Sequence, residues 1–228
     1  MTQASSQSLD STSFSDEGSW SGLLFPGAGE MTGRMVLRSV PRSRVYVGDR
    51  CSEREGAARA ARVCRRFVVA NELRTMVTTT FARWVSVGGA VEKMTLLMRR
   101  CRYGRDAFPF LWTLERGGER GRVHGHLLVP VSYGALVEEC WPHGHVDVMV
   151  GDDGWTALRD MAGYVAKDFD SPVLGSQRYR IPKGFQPEAV KIEARSRDLL
   201  VVEAEAQMGS QAAVAHHGAL GVSASWEA

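Results

Sequence analysis

Two short runs of this chain hold side chains whose types and spacing suit phosphoryl chemistry. In Arg122-Val-His-Gly-His-Leu-Leu-Val129, His124 and His126 stand two residues apart in a segment that ends apolar and β-branched. On a strand, residues i and i+2 share a face, so both imidazoles would stand side by side as two ligands of one divalent metal. In Tyr164-Val-Ala-Lys167 a phenol and an ammonium sit about one helical turn apart. A metal site with a tyrosine and a lysine can cut a phosphodiester bond and hold the freed end covalently.

A third ligand is expected from Glu115. The runs 108–116 and 122–131 read as strands joined through Gly117-Gly-Glu-Arg-Gly121, a hairpin that lays Glu115 within cross-strand reach of His124. Two neutral imidazoles and a carboxylate suit Mg²⁺ or Mn²⁺ acting on phosphate, and equally allow Zn²⁺ or Co²⁺. A second His-Gly-His triplet, His143 and His145, follows Trp141-Pro142. Its first histidine is expected in a turn, so it ranks below the pair held on a strand. Residues 155–169 read as a helix in which Leu158, Ala162, Val165 and Phe169 fall within about 60° of one another as the buried stripe. Tyr164 lies about 120° from the centre of that stripe, at its border, where a hydroxyl can reach a cleft. Position 168 is Asp168, so a two-tyrosine Y-x-x-x-Y site is absent.

These segments resemble the HUH endonucleases, specifically the rolling-circle replication initiators of bacterial plasmids and small single-stranded DNA replicons. That family carries two histidines around one residue and a tyrosine in a Y-x-x-K setting, here His124-Gly125-His126 and Tyr164-Val165-Ala166-Lys167. Phe108–Glu115 with its turn looks like the family's hairpin, and Arg74–Phe81 resembles its first motif, a strand at the sheet centre. Trp141–Asp147 and Gly184-Phe-Gln-Pro187 resemble segments of actinobacterial plasmid members. The resemblance spans roughly residues 60 to 190. It departs at Gly125, where the family prefers a bulky apolar residue; Gly125 faces away from the ligands. The resemblance implies a metal on His124, His126 and Glu115, with Tyr164 as nucleophile forming a 5′-phosphotyrosyl intermediate and releasing a 3′-OH. Lys167 would assist at the phenolate or the phosphate. The substrate would be single-stranded origin DNA, including a hairpin form. The alternatives are a transposase or relaxase with the same chemistry, or a non-catalytic basic module that only binds nucleic acid.

Charge supports a nucleic-acid partner. Residues 34–122 hold 19 Arg and one Lys against eight acids, a balance of +12 hidden in a whole-chain net of +2. Such a segment attracts polyanions and speeds their arrival, and 24 of the 28 basic residues are Arg, which suits bidentate phosphate contact. The candidate DNA contacts are Arg59, Arg62, Arg65, Arg66, Thr78, Thr80, Arg99 and Arg100. No P-loop occurs, so unwinding and synthesis would need a host helicase and polymerase.

The elements expected to carry these residues are a helix over 53–72, a strand over 74–81, a helix over 89–102 and the 108–131 hairpin. A short helix over 133–140, a strand over 145–150 and the Tyr164 helix follow. That order predicts an α+β fold: an antiparallel sheet flanked by helices, with a ferredoxin-like or RRM-like core. Residues 1–33, rich in Ser, Gly and Thr, read as a disordered tail. Residues 34–195 read as the nicking domain, opening on a basic arm with a short strand at Val45–Val47, and residues 196–228 as a low-complexity tail. Four scattered cysteines and the absence of an apolar run of about 20 residues predict a cytoplasmic protein without a membrane span.

Overall fold

Thr75-Met-Val-Thr-Thr79 alternates fully buried with half-buried side chains, the signature of a central strand whose two faces are covered unequally. In the computed structural model, which describes residues 19–36, 50–117, 121–171, 173 and 177–227, this strand is β3 of a four-stranded antiparallel sheet. Its partners are β4 (Leu111–Gly117), β5 (Arg122–Val129) and β6 (Val146–Val150), in the order β4-β5-β3-β6. Helix α2 (Val87–Arg102) joins β3 to β4, and α3 (Gly134–Cys140) joins β5 to β6. The result is a β-α-β-β-α-β unit with its first strand at the centre, the ferredoxin-like connectivity. The expected elements stand within a few residues of their predicted bounds.

The two faces of the sheet carry different residues because strand side chains alternate. Val77, Leu127, Val129, Trp112 and Leu114 point to one face and form a core with Ala90, Met94 and Leu97 of α2 and Val137 of α3. Leu111 and Leu128 point to the other and pack with Phe67 and Val68 of α1 (Arg50–Ala70) and Leu158, Ala162 and Val165 of α4 (Trp155–Ala166). His124 and His126 lie on this second face. Gly125, between them, lies on the first. A Cβ there would meet Met94 Sδ at 2.7 Å and Met94 Cε at 3.0 Å, so the glycine lets Met94 seat against the strand.

Both tail expectations are corrected for the described residues. Ser19–Phe25 (β1) and Glu30–Val36 (β2) form a hairpin, not a disordered segment. Beyond residue 190 the chain folds as β7 (Val190–Ala194), α5 (Arg197–Met208), β8 (Ala213–His217) and β9 (Gly221–Ser225). These strands make a second antiparallel sheet, ordered β7-β1-β2-β9-β8, around a core that includes Trp20, Leu24, Met31, Leu200, Val222 and Trp226. The segment resembling a tail is masked by small residues: Gly22 and Gly33 are the places where Leu200 of α5 sits down on the sheet. The expected strand at Val45–Val47 lies outside the described residues.

Candidate active site

The hairpin register decides which groups can meet. β4 and β5 pair Glu115 with His124 and Thr113 with His126, while β3 sets Thr78 beside His126. All five residues share the face that α4 crosses. Across that face His126 Nε2 stands 2.6 Å from Glu115 Oε2, and its Nδ1 stands 3.2 Å from Thr78 Oγ1. A carboxylate only accepts, so Nε2 carries the imidazole proton and the Thr78 hydroxyl donates to Nδ1. Lys167, at the C-terminal cap of α4, donates from Nζ to Glu115 Oε1 at 3.0 Å.

The Tyr164 ring completes the cluster. It meets the His126 ring edge-on, centroids 5.9 Å apart, and Lys167 Nζ lies 4.3 Å from the Tyr164 centroid. His126 is 5% exposed whereas Tyr164 is 47% exposed, so the imidazole is fixed inside and the phenol stands at the opening. The α4 stripe explains this: Leu158, Met161, Ala162 and Val165 are buried, and Tyr164 sits beside that stripe.

The electrostatics follow from burial and pairing. Burial pushes the His126 imidazole below its ordinary range, against the opposing pull of Glu115. Burial would raise the Glu115 carboxyl, but hydrogen bonds from Lys167 and His126 outweigh it and hold the carboxyl below its usual range. The bond to Glu115 holds the Lys167 ammonium above its own. Near neutrality the site is thus a neutral imidazole, a carboxylate and an ammonium under a phenol.

Of the three expected ligands, Glu115 and His126 are in contact. His124 faces Glu115 in register, but its ring lies over Gly117, where a Cβ would meet Nε2 at 3.2 Å. Among the described residues no three His, Cys, Asp or Glu side chains converge on one point. A divalent cation would be held by Glu115 and His126, the two of the set in contact, in place of the proton between them. The second pair is elsewhere: His143 sits in the loop before β6, edge-on to Trp141 at 5.2 Å, and His145 is exposed.

The candidate DNA contacts divide into three groups. Thr78 spends its hydroxyl on His126, and Thr80 uses its hydroxyl on the backbone of His145. Arg59 and Arg62 are exposed on α1, while Arg65 and Arg66 pair with the buried Glu30 of β2. Arg99 and Arg100 are exposed in the last turn of α2, on the far side of the sheet from Tyr164. One residue at the site carries no sequence signal. Arg178 lines the space around Glu115 and His126 and donates from Nε to the Phe169 carbonyl at 2.8 Å, which fixes the chain just past Lys167. It lies in an irregular segment that no periodicity marks. Compared with protein-family models, with curated proteins and with solved structures, the chain matches none.

Proposed function

We propose that this protein is a site-specific single-strand DNA endonuclease and joining enzyme that acts as a rolling-circle replication initiator, as its resemblance to the HUH endonucleases implies. The observation that carries this reading is the packing of the half-exposed Tyr164 phenol against the buried His126, with Lys167 bridging to Glu115. A fixed positive charge beside the nucleophile favours attack on an anionic phosphate. The Lys167 ammonium, held above its ordinary range by Glu115, lies over the Tyr164 ring.

The step balances simply. The Tyr164 oxygen bonds to phosphorus, the P–O3′ bond breaks, the phenolic proton leaves to solvent, and the 3′ oxygen takes one up. The product is a 5′-phosphotyrosyl ester and a free 3′-OH. The ester keeps the phosphodiester bond energy, so a 3′-OH can attack it in reverse and rejoin the strand. A divalent cation held by Glu115 and His126, with His124 alongside, would polarise the scissile phosphate. With Nε2 turned to the cation, Thr78 would hold the other ring nitrogen, Nδ1, the outer-shell contact that orients a ligating imidazole.

The test uses an end-labelled single-stranded origin oligonucleotide and Mn²⁺. The wild-type chain is expected to form a labelled protein band that survives denaturation. Tyr164→Phe removes one oxygen, keeps the ring, and should lose that band while binding DNA as before. A band that persists in Tyr164→Phe, or DNA mapped to Tyr179, would refute the assignment.

A further inference from the structure

The two most exposed large apolar side chains among the described residues are Trp84, at 77%, and Tyr103, at 85%. They stand at opposite ends of one helix. Trp84 lies in the turn that leads from β3 into α2, and Tyr103 caps the C-terminus of α2. Four other tryptophans of the chain, Trp20, Trp112, Trp141 and Trp226, are buried. An exposed aromatic of this size is lost burial unless something covers it.

Each aromatic sits in a cationic hollow. Trp84 shares its hollow, about 650 Å³, with Arg83, Lys93 and His143. Tyr103 shares one of about 670 Å³ with Arg99, Arg102, Arg105 and Arg180. Neither hollow has an acidic side chain among its described lining residues. Between them α2 carries Lys93, Leu96 and Arg100 at i, i+3 and i+7, a single stripe of the helix. Lys93 and Arg100 both bear on the His143 imidazole; it is held below its ordinary range by burial and then by these two positive charges. Residues 83–105 hold six basic side chains against one acid.

The placement ties this surface to the cleft. Thr79, the last residue of β3, pairs with Gly125 on one side and Val146 on the other. The chain from Thr80 to Trp84 therefore leaves the sheet at the end where His124 and Glu115 lie. A strand lying over the cleft would reach Trp84 by rounding that end of the sheet.

We propose that the outer surface of α2 is a track for single-stranded DNA, with bases stacked on Trp84 and Tyr103 and phosphates on Lys93, Arg99 and Arg100 between them. This rests on the nuclease reading for its choice of strand. The chemistry selects an unpaired strand over a duplex, because an aromatic face is offered to a base only when the base is unstacked. Sixteen residues of helix span about 24 Å, so one strand must be extended to engage both ends.

The test separates this inference from the nuclease reading by working on full-length Tyr164→Phe in EDTA, where nothing is cut. Anisotropy of a labelled oligo-dT 20-mer (about 20 nucleotides, above the usual site sizes) reads binding. Trp84→Ala and Tyr103→Ala, both exposed and expected to fold, should each weaken it by about 5- to 150-fold, as loss of one stacked base does. Trp84→Phe should recover most of the loss, and a blunt duplex should bind all variants alike. Unchanged oligo-dT affinity in both alanine variants, or an equal loss on the duplex, would overturn the track. A track that behaves as expected while the wild type never forms a covalent adduct would leave the inference standing and the nuclease reading refuted.

Discussion

His126 and Glu115 do different work from His124. The inner imidazole is buried, hydrogen-bonded at both nitrogens and touched by Tyr164, whereas His124, paired in register with Glu115, lies two pairs along the hairpin with its ring over Gly117. Calorimetric titration with Mn²⁺ should therefore show binding abolished in His126→Ala and Glu115→Ala and weakened in His124→Ala. It should be unchanged in His143→Ala and His145→Ala; loss in the second pair alone would move the metal site to the β6 loop. Lys167 also sets the pH response of the free protein. The folded Glu115 carboxyl lies below its ordinary value of 4.5, so its ionisation adds stability above pH 4.5 that is lost as pH falls through the folded value. The folded Lys167 ammonium lies above 10.5, so its share is complete below pH 10.5 and is lost as pH rises through the folded value. Lys167→Met removes the strongest of the contacts that lower Glu115. The acid unfolding midpoint of the metal-free protein should then move to higher pH, and an NMR titration of the Glu115 carboxyl should show its pKa rise. An unmoved Glu115 titration would mean that His126 alone holds the carboxylate.

Gly125 shows how an element constrains the site. The residue between the two histidines points away from them and under α2, where Met94 and the Thr79 hydroxyl fill the space a side chain would take. Gly125→Val, which brings the chain nearer to the bulky residue of HUH proteins, should overpack this contact and cost about 1–3 kcal/mol by urea unfolding. Met94→Ala removes the Sδ and Cε obstruction and leaves the Thr79 hydroxyl, so the double variant should recover part of the loss and be more stable than the sum of the two single losses predicts. Strict additivity would show that the strand, not Met94, demands glycine. The β-branched run of β3, the strands β4 and β5 and the helical stripe of α4 were legible in the sequence, because each buries an apolar face. Those elements bring Glu115, His126, Tyr164 and Lys167 together, whereas the sequence alone has Glu115 reach His124. The second sheet was not legible. Its strands β1 and β2 interleave Trp20, Leu24 and Met31 with Gly22 and Gly33, so the buried face alternates large side chains with none and hydropathy averages out. Nor could spacing reveal Arg178, whose carbonyl accepts from Thr113 at 2.7 Å across a long loop, or that Arg65 and Arg66 have Glu30 as a partner.

At the scale of the molecule, α4 joins the two sheets. Its C-terminal end carries Tyr164 and Lys167 over the first sheet, and its N-terminal end is fastened to the second. Trp155 packs in both neighbouring cores, and Arg159 Nη2 donates to the carbonyls of Gly29 at 3.0 Å and Trp226 at 2.7 Å. Gly29 is the junction. It adopts φ +56°, receives the Trp226 amide at its carbonyl at 3.0 Å, and lies directly under the Trp155 ring, inside whose van der Waals envelope a Cβ would fall. Gly29→Ala combines left-handed strain of about 1–2 kcal/mol with overpacking of about 1–3 kcal/mol. For a chain of this length that corresponds to a melting temperature lower by about 4–20 °C. The functional expectation is sharper. Relief of the clash requires Trp155, and with it the α4 helix, to move, so Tyr164 should shift relative to His126. Assayed well below its melting temperature, Gly29→Ala should form the covalent DNA adduct more slowly while binding oligo-dT as the wild type does. Arg159→Gln, which keeps length but weakens the hold on Gly29 and Trp226, should act in the same direction with a smaller effect. If both variants melt early yet form adduct at the wild-type rate per folded molecule, the second sheet is a passive addition and α4 is positioned by the first sheet alone.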